Sequence, residues 1–201
     1  DTARTISHSL SAVPHFMIVR NRSEVSGDGA WQVYHGANTA APETDNLQLA
    51  ISNPTEDSAV IWNDTAPTSS VFSVGSHLTV NGDGNAMLAY LWSEKQGFSK
   101  FGSYVGNGST DGPFLWCGFR PAWFMTKRTD SSGDWRIRDI AREPHQPLDA
   151  PFYANTAIVE NDGDNDWDIV SNGLKMRGSG TGENASGGTY IYAAFAEAPL
   201  V

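Results

Sequence analysis

The first half of this chain is written again in the second. Pro14-His15-Phe16-Met17-Ile18-Val19-Arg20, followed by Gly27-Asp28-Gly29-Ala30-Trp31-Gln32-Val33, returns as Pro121-Ala122-Trp123-Phe124-Met125-Thr126-Lys127, followed by Gly133-Asp134-Trp135-Arg136-Ile137. Further on, Leu78-Thr79-Val80-Asn81-Gly82 and residues 87–94 match Leu174-Lys175-Met176-Arg177-Gly178 and residues 190–197. Blocks that recur in the same order signal an internal duplication. The separation between matching blocks varies, so insertions fall between them, as expected of strands joined by variable loops.

With 201 residues the chain is long enough to bury a sizeable core as one large β-sandwich or as two small domains. Its formal net charge of −10 opposes non-specific attraction to nucleic-acid phosphates and to anionic membrane surfaces, so neither is expected as a partner. Cys117 is the single cysteine, which rules out an intramolecular disulfide and leaves stability to the core. No apolar run is long enough to cross a bilayer as a helix. The opening Asp1-Thr2-Ala3-Arg4 is neither an initiator methionine nor a signal peptide, so the chain reads as a piece of a longer protein.

Helical periodicity is weak, and glycine and proline punctuate the sequence every few positions. Short β-branched or aromatic runs predict strands at 16–19, 31–34, 47–51, 59–62, 71–74, 77–80 and 87–92 in the first half. In the second they fall at 123–127, 135–138, 157–159, 167–170, 174–177 and 189–196. Asn81-Gly82 and Asn172-Gly173 suit hairpin turns that need positive φ. The connecting segment 97–119 is too aromatic for a flexible linker and predicts strands near 103–105 and 114–117. The expected architecture is all-β: one antiparallel β-sandwich body over 1–201, jelly-roll or lectin-like. Its pseudo-repeats run from about 5–96 and about 114–201, with connecting strands at 97–119.

The run Gly97-Phe98-Ser99-Lys100-Phe101-Gly102-Ser103-Tyr104-Val105-Gly106-Asn107-Gly108-Ser109-Thr110-Asp111-Gly112-Pro113-Phe114, continuing through Gly118-Phe119-Arg120-Pro121-Ala122-Trp123, resembles a repeat family in virion proteins of marine and other tailed phages. Residues 135–142, 171–178 and 190–197 continue the resemblance, which covers essentially the whole chain. It implies a tail-fibre, tail-associated or structural virion protein with a lectin-like β-sandwich, extracellular on the particle. Its partners would then be other virion proteins, further copies of itself and host-surface glycan. Arg138 departs from the apolar or aromatic residue expected there. It falls on the face opposite Trp135 and Ile137, which casts doubt on any site on that face but not on the fold.

Candidate chemistry is sparse. Asp162, Asp164 and Asp166 alternate in an acidic run that offers oxygen ligands to Ca²⁺, but the run lacks the glycine and distal glutamate of a calcium loop and reads better as a solvated hairpin. No cofactor is expected. Glu94 and Glu197 end matching strands, and their repetition favours a structural role over a single active site. Gly178-Ser179-Gly180-Thr181-Gly182 lies between strands and reads as a mobile hairpin loop rather than a phosphate-binding turn. Cys117, among Leu115, Trp116 and Phe119, reads as a buried inert thiol. Of seven tryptophans, Trp31, Trp92, Trp123 and Trp135 fall in repeated strands and are assigned to the core. Trp62, Trp116 and Trp167 are not repeated and are the candidates for glycan or partner contact.

No hydrolase elbow, metalloprotease helix or phosphate loop is present, and no catalytic residue is assigned. The expected function is a non-enzymatic module of a phage tail or surface fibre for host attachment. The alternatives are a polysaccharide-degrading enzyme on a lectin-like sandwich and a capsid decoration protein.

Overall fold

The structure, a computed structural model, describes residues 2–23, 30–160 and 167–198. Packing divides the chain into two compact units, Asp1–Ser93 and Glu94–Val201. The described fold is dominated by strands, and every strand pairing in it is antiparallel. The segment 97–119, expected to connect two repeats, supplies strands to both sheets of the second unit.

The first unit contains β1 (Arg4–Ser7), β2 (Phe16–Asn21), β3 (Trp31–His35), β4 (Asp45–Gln48), β5 (Glu56–Asp57), α1 (Ala59–Trp62), β6 (Val71–Val74), α2 (Leu78–Asn81) and β7 (Met87–Trp92). One sheet has the order β5-β4-β3-β2-β7, and β1 pairs with β6 in a second. Strand alternation sends Met17 and Val19 of β2 into a core with Tyr34, Ile61, Trp62, Phe72, Val74 and Val80. Apolar side chains from both sheets and both short helices therefore meet in one cluster.

Two strands expected in this unit are helices. Residues 59–62 form a single turn that ends at Asn63, whose φ of 56° is left-handed. Gly75 makes room for it: a Cβ there would lie 2.2 Å from the Val60 carbonyl oxygen, and Gly75 N donates to Ile61 O at 2.7 Å. Residues 78–81 form α2, capped by His77, whose side chain accepts from Thr79 N. Asn81 is buried and donates to Thr2 O and Gly75 O, both at 2.8 Å. Asn81-Gly82 thus ends a helix, with Gly82 at φ −61°, and makes no positive-φ hairpin.

The second unit contains β8 (Ser99–Val105), β9 (Phe114–Trp116), β10 (Trp123–Arg128), β11 (Arg136–Asp139), β12 (Phe152–Tyr153), β13 (Trp167–Val170), β14 (Gly173–Met176), α3 (Thr181–Asn184) and β15 (Thr189–Phe195). Its sheets have the orders β12-β11-β10-β15-β8 and β13-β14-β9. Tyr104, Phe124, Tyr190, Tyr192 and Ala194 of the larger sheet share one buried cluster with Leu115, Trp167, Ile169, Leu174 and Met176 of the smaller.

Residues 157–159 form no strand, and Ile158 and Val159 are exposed. The glycine-rich segment is no loose hairpin either. It leads into α3, where a Cβ on Gly182 would meet the Arg136 guanidinium at 2.4 Å, and Arg136 Nη1 donates to Gly182 O at 3.1 Å. Leu174-Lys175-Met176 lies in a strand while Leu78-Thr79-Val80 lies in a helix, so those two blocks do not occupy matching elements. In hydrogen bonding α2 matches α3, because Asn184, like Asn81, donates to two carbonyls at 2.8 Å, those of Ser109 and Gly178.

Candidate site: an exposed indole beside a glycine-floored cleft

Two polar arrangements stand out in the second unit, and they differ in access. The first is buried. Strand β11 alternates so that Ile137 and Arg138 point to opposite faces, as the sequence implies, but the face that receives Arg138 is the core. There α3 supplies its partner. Glu183 accepts from Arg138 Nη1 and Nη2, each at 2.9 Å, from Thr126 Oγ1 at 2.5 Å and from Trp167 Nε1 at 3.2 Å. Arg136 adds an ion pair at 3.9 Å, and Tyr104 Oη donates to the Glu183 carbonyl at 2.9 Å.

Burial on its own would push the Glu183 carboxyl up. The Arg138 and Arg136 guanidiniums and the hydrogen bonds outweigh it and hold the group below the usual carboxylate range. A carboxylate so fully engaged has no lone pair directed at a substrate and no proton to give. It is a structural clamp joining β10, β11, β13 and α3.

The second arrangement is open. In β9, Phe114 and Trp116 point outward while Leu115 points into the core, and Trp116 is 61 % exposed. Trp116 is nonetheless held in place, for its indole lies over Gly118, where a Cβ would sit 3.1 Å from Cζ2. Gly118 has φ 78°, a conformation that suits glycine. Gly118 N and Cys117 N both donate to Asn172 O, at 3.1 and 2.9 Å, which ties the platform to the β13–β14 turn at Ser171-Asn172.

Beside the indole lies a cleft of about 270 Å³ bounded by Glu94, Gln96, Lys100 and Trp116. Glu94 and Lys100 form an ion pair at 2.9 Å, and Glu94 also accepts from Phe101 N at 3.2 Å. Gly97, at φ 76°, and Gly118 belong equally to an adjoining cleft of about 460 Å³ that reaches Arg120, Ser171 and Glu197. Cys117 lies beneath with its thiol pushed up to about 12 by burial, which leaves it protonated and a poor nucleophile.

The other two tryptophans singled out for surface contact are core residues. Trp62 is 1 % exposed and meets Tyr34 edge-on at 6.0 Å. Trp167 is fully buried between Tyr104 and Phe124, with ring centroids at 5.9 and 5.6 Å, and its N–H is used by Glu183. Both are corrected to packing roles, since a buried indole presents no face to a ligand. Asp162, Asp164 and Asp166 lie outside the described residues. Among the described residues no group of three or more His, Cys, Asp or Glu side chains is placed to hold a metal ion. Asp168, next to that run, pairs with Arg177 Nε at 2.6 Å. No helix among the described residues is long and apolar enough to cross a membrane.

An exposed indole lying over Gly118 offers an apolar face, and the Glu94, Lys100 and Gln96 side chains beside it offer acceptors and donors. That combination suits a ligand with an apolar face and a ring of hydroxyls. No match to the chain is found among curated proteins or among solved structures. A family model does match residues 1–199, and the chain therefore belongs to the family described as Domain of unknown function (DUF7483).

Proposed function

We propose that the protein is a non-catalytic glycan-binding module of a phage tail or surface fibre, and that the Trp116 cleft is its contact surface. The observation that carries the reading is the exposed indole fixed over Gly118 between polar rims. The aliphatic face of a sugar ring stacks on an indole, while its hydroxyls hydrogen-bond to side chains such as Glu94 and Lys100. The resemblance to tailed-phage virion repeats supplies the setting. The acidic net charge disfavours anionic polymers at long range, so the ligand is a neutral polysaccharide of the host surface. Weak single sites gain strength through copies presented together on an oligomeric fibre.

The same reading takes the two units as copies of one lectin-like β-sandwich design. In each, the late strand pairs with the first strand of a hairpin, and Phe16 opposite Trp92 corresponds to Trp123 opposite Phe195. Those rings lie 5.3 and 5.6 Å apart. A cation covers the repeated indole in both, Arg20 over Trp31 at 5.3 Å and Lys127 over Trp135 at 5.9 Å.

Glycan-array screening followed by calorimetry of the wild type and Trp116→Ala tests the proposal. The substitution removes an exposed side chain, so the fold should persist while binding falls about tenfold or more. Unchanged binding by Trp116→Ala would remove this cleft from consideration. Release of oligosaccharides from the host polymer, lost on substitution of one carboxylate, would move the protein to the enzyme class.

A further inference from the structure

The two larger sheets differ at one edge. In the second unit β15 is flanked by β10 on one side and β8 on the other, and Tyr190 through Ala194 are all buried. In the first unit β7 pairs with β2 alone among the described residues, and none of its residues is buried. Reading the units as copies, Val19 opposite Ala89 corresponds to Thr126 opposite Tyr192, so Met87, Ala89 and Tyr90 stand where Tyr190, Tyr192 and Ala193 do. The other edge of β7 is thus the place that β8 fills on β15.

Beside that edge is a largely apolar cleft of about 210 Å³, lined by Ile6, Val19, Phe72, Val80, Met87 and Ala89, with Arg4 also in its lining. In the second unit, the corresponding place is taken by a side chain of β8. Tyr104 stands opposite Tyr190, stacks on it at 4.9 Å and donates to the Glu183 carbonyl of α3. The counterparts in the first unit are Met87 and Val80 of α2, and both line the cleft.

We propose that the edge of β7 left unpaired among the described residues is a strand-acceptor site. Its occupant is an extended segment of the β8 type, Phe-Gly-x-Tyr-x-Gly-Asn, donated by another unit of the same family, with its tyrosine seated in the cleft. Main-chain pairing with β7 supplies affinity and the seated ring fixes register, the division of labour in strand addition generally. Copying the β8–β15 register places this tyrosine opposite Met87 and the phenylalanine opposite Tyr90. The proposal rests on the likeness of the units and not on glycan binding at Trp116, so either can fail without the other.

The test uses the 201-residue chain and a capped peptide with the sequence of residues 98–107. Hydrogen exchange should slow at the amides of 87–92 on peptide addition, and the melting temperature should rise with peptide concentration. The same peptide with alanine at its tyrosine should bind roughly tenfold more weakly, as loss of a buried aromatic anchor requires. Met87→Lys, at a partly exposed position, should abolish binding while circular dichroism stays that of the wild type. Absence of protection at saturating peptide would overturn the proposal. So would equal binding by a scrambled peptide or by the alanine peptide, which would mark the edge as unselective. Protection of 87–92 that rises with protein concentration alone would instead assign the edge to pairing between copies of β7.

Discussion

Replacing Glu183 by glutamine should damage this protein more than its unremarkable place in the sequence suggests. The substitution keeps size and shape but removes the negative charge that pairs with the buried Arg138 at 2.9 Å, and it weakens the bonds from Thr126 and Trp167. Breaking a buried pair from one side costs about 3–5 kcal/mol, because the surviving charge stays desolvated without its partner. For a chain of this length that corresponds to a fall in Tm of roughly 10 °C. On the proposed likeness of the two units, the first shows how such a place is built without charge: Tyr34 stands opposite Met17 as Arg138 stands opposite Phe124, and Val80 and Val19 correspond to Glu183 and Thr126. Glu183→Leu, Arg138→Met and Thr126→Val introduced together should therefore lie within about 2 kcal/mol of the wild type. The orphaned Trp167 N–H should account for most of the remainder, and such an orphan is tolerated in the first unit, where the buried Trp62 Nε1 has no hydrogen-bond partner among the described residues. Urea unfolding followed by tryptophan fluorescence measures both variants. A cost below about 1 kcal/mol for Glu183→Gln, or a triple variant as damaged as the sum of its parts, would refute the argument. The pH dependence supplies an independent check. A carboxyl held below its ordinary value of 4.5 in the fold stabilises fully above that pH, and the contribution is lost as pH falls through the folded value. The acid slope of stability should accordingly be shallower in the triple variant.

Gly118→Val should cost about 1–2 kcal/mol, because its φ of 78° is left-handed, and should weaken glycan binding by pushing the indole off its seat; thermal melts and calorimetry measure the two effects. Burial lowers Lys127 to about 8 from 10.5, so the unfolded chain binds more protons between those values and stability should rise with pH across that window. Lys127→Met should flatten this rise in urea titrations between pH 7 and 10.5, and an undiminished rise would assign it to another group. Chelation with EDTA should leave Tm unchanged; a fall rescued by calcium and abolished by Asp164→Ala would show that the acidic run at 162–168 holds the ion.

The sequence was most legible where a strand is long enough for an apolar, β-branched or aromatic run to stand out between glycine, proline and polar turns. Strands β2, β3, β7, β10 and β15 were legible from continuous β-branched and aromatic runs that are mostly buried or half-buried on both faces, and the aromatic segment 97–119 declared by its composition that it was more than a linker. Single-turn helices are too short to show a period, so Ala59-Val60-Ile61-Trp62 and Leu78-Thr79-Val80-Asn81, apolar and β-branched, carried only the strand signal. What makes them helices is tertiary: the gap at Gly75 and the two carbonyls held by Asn81. Arg138 lies on the face that alternation gives it, at a place where an apolar or aromatic residue is expected, and the partner that lets a charge stand there lies 45 residues away in a glycine-rich stretch. A lone glutamate following glycines that leave room for arginine was the available clue. Trp116 differs from Trp62 and Trp167 in having Gly118 two residues on, and only the fold reveals that the glycine is a seat for the ring.

The two clefts beside Trp116 share main chain at Gly97 and Gly118, whereas Gln96, Arg120 and Glu197 line them with side chains outside the hydrophobic core cluster. Shape and selectivity are thereby encoded in different parts of the sequence. Rim residues can be exchanged one at a time without disturbing the backbone that seats the indole, so drift at these positions would change which surface is recognised while leaving the fold unchanged. In the proposed glycan-binding role, this separation is a route to new specificity through single surface substitutions.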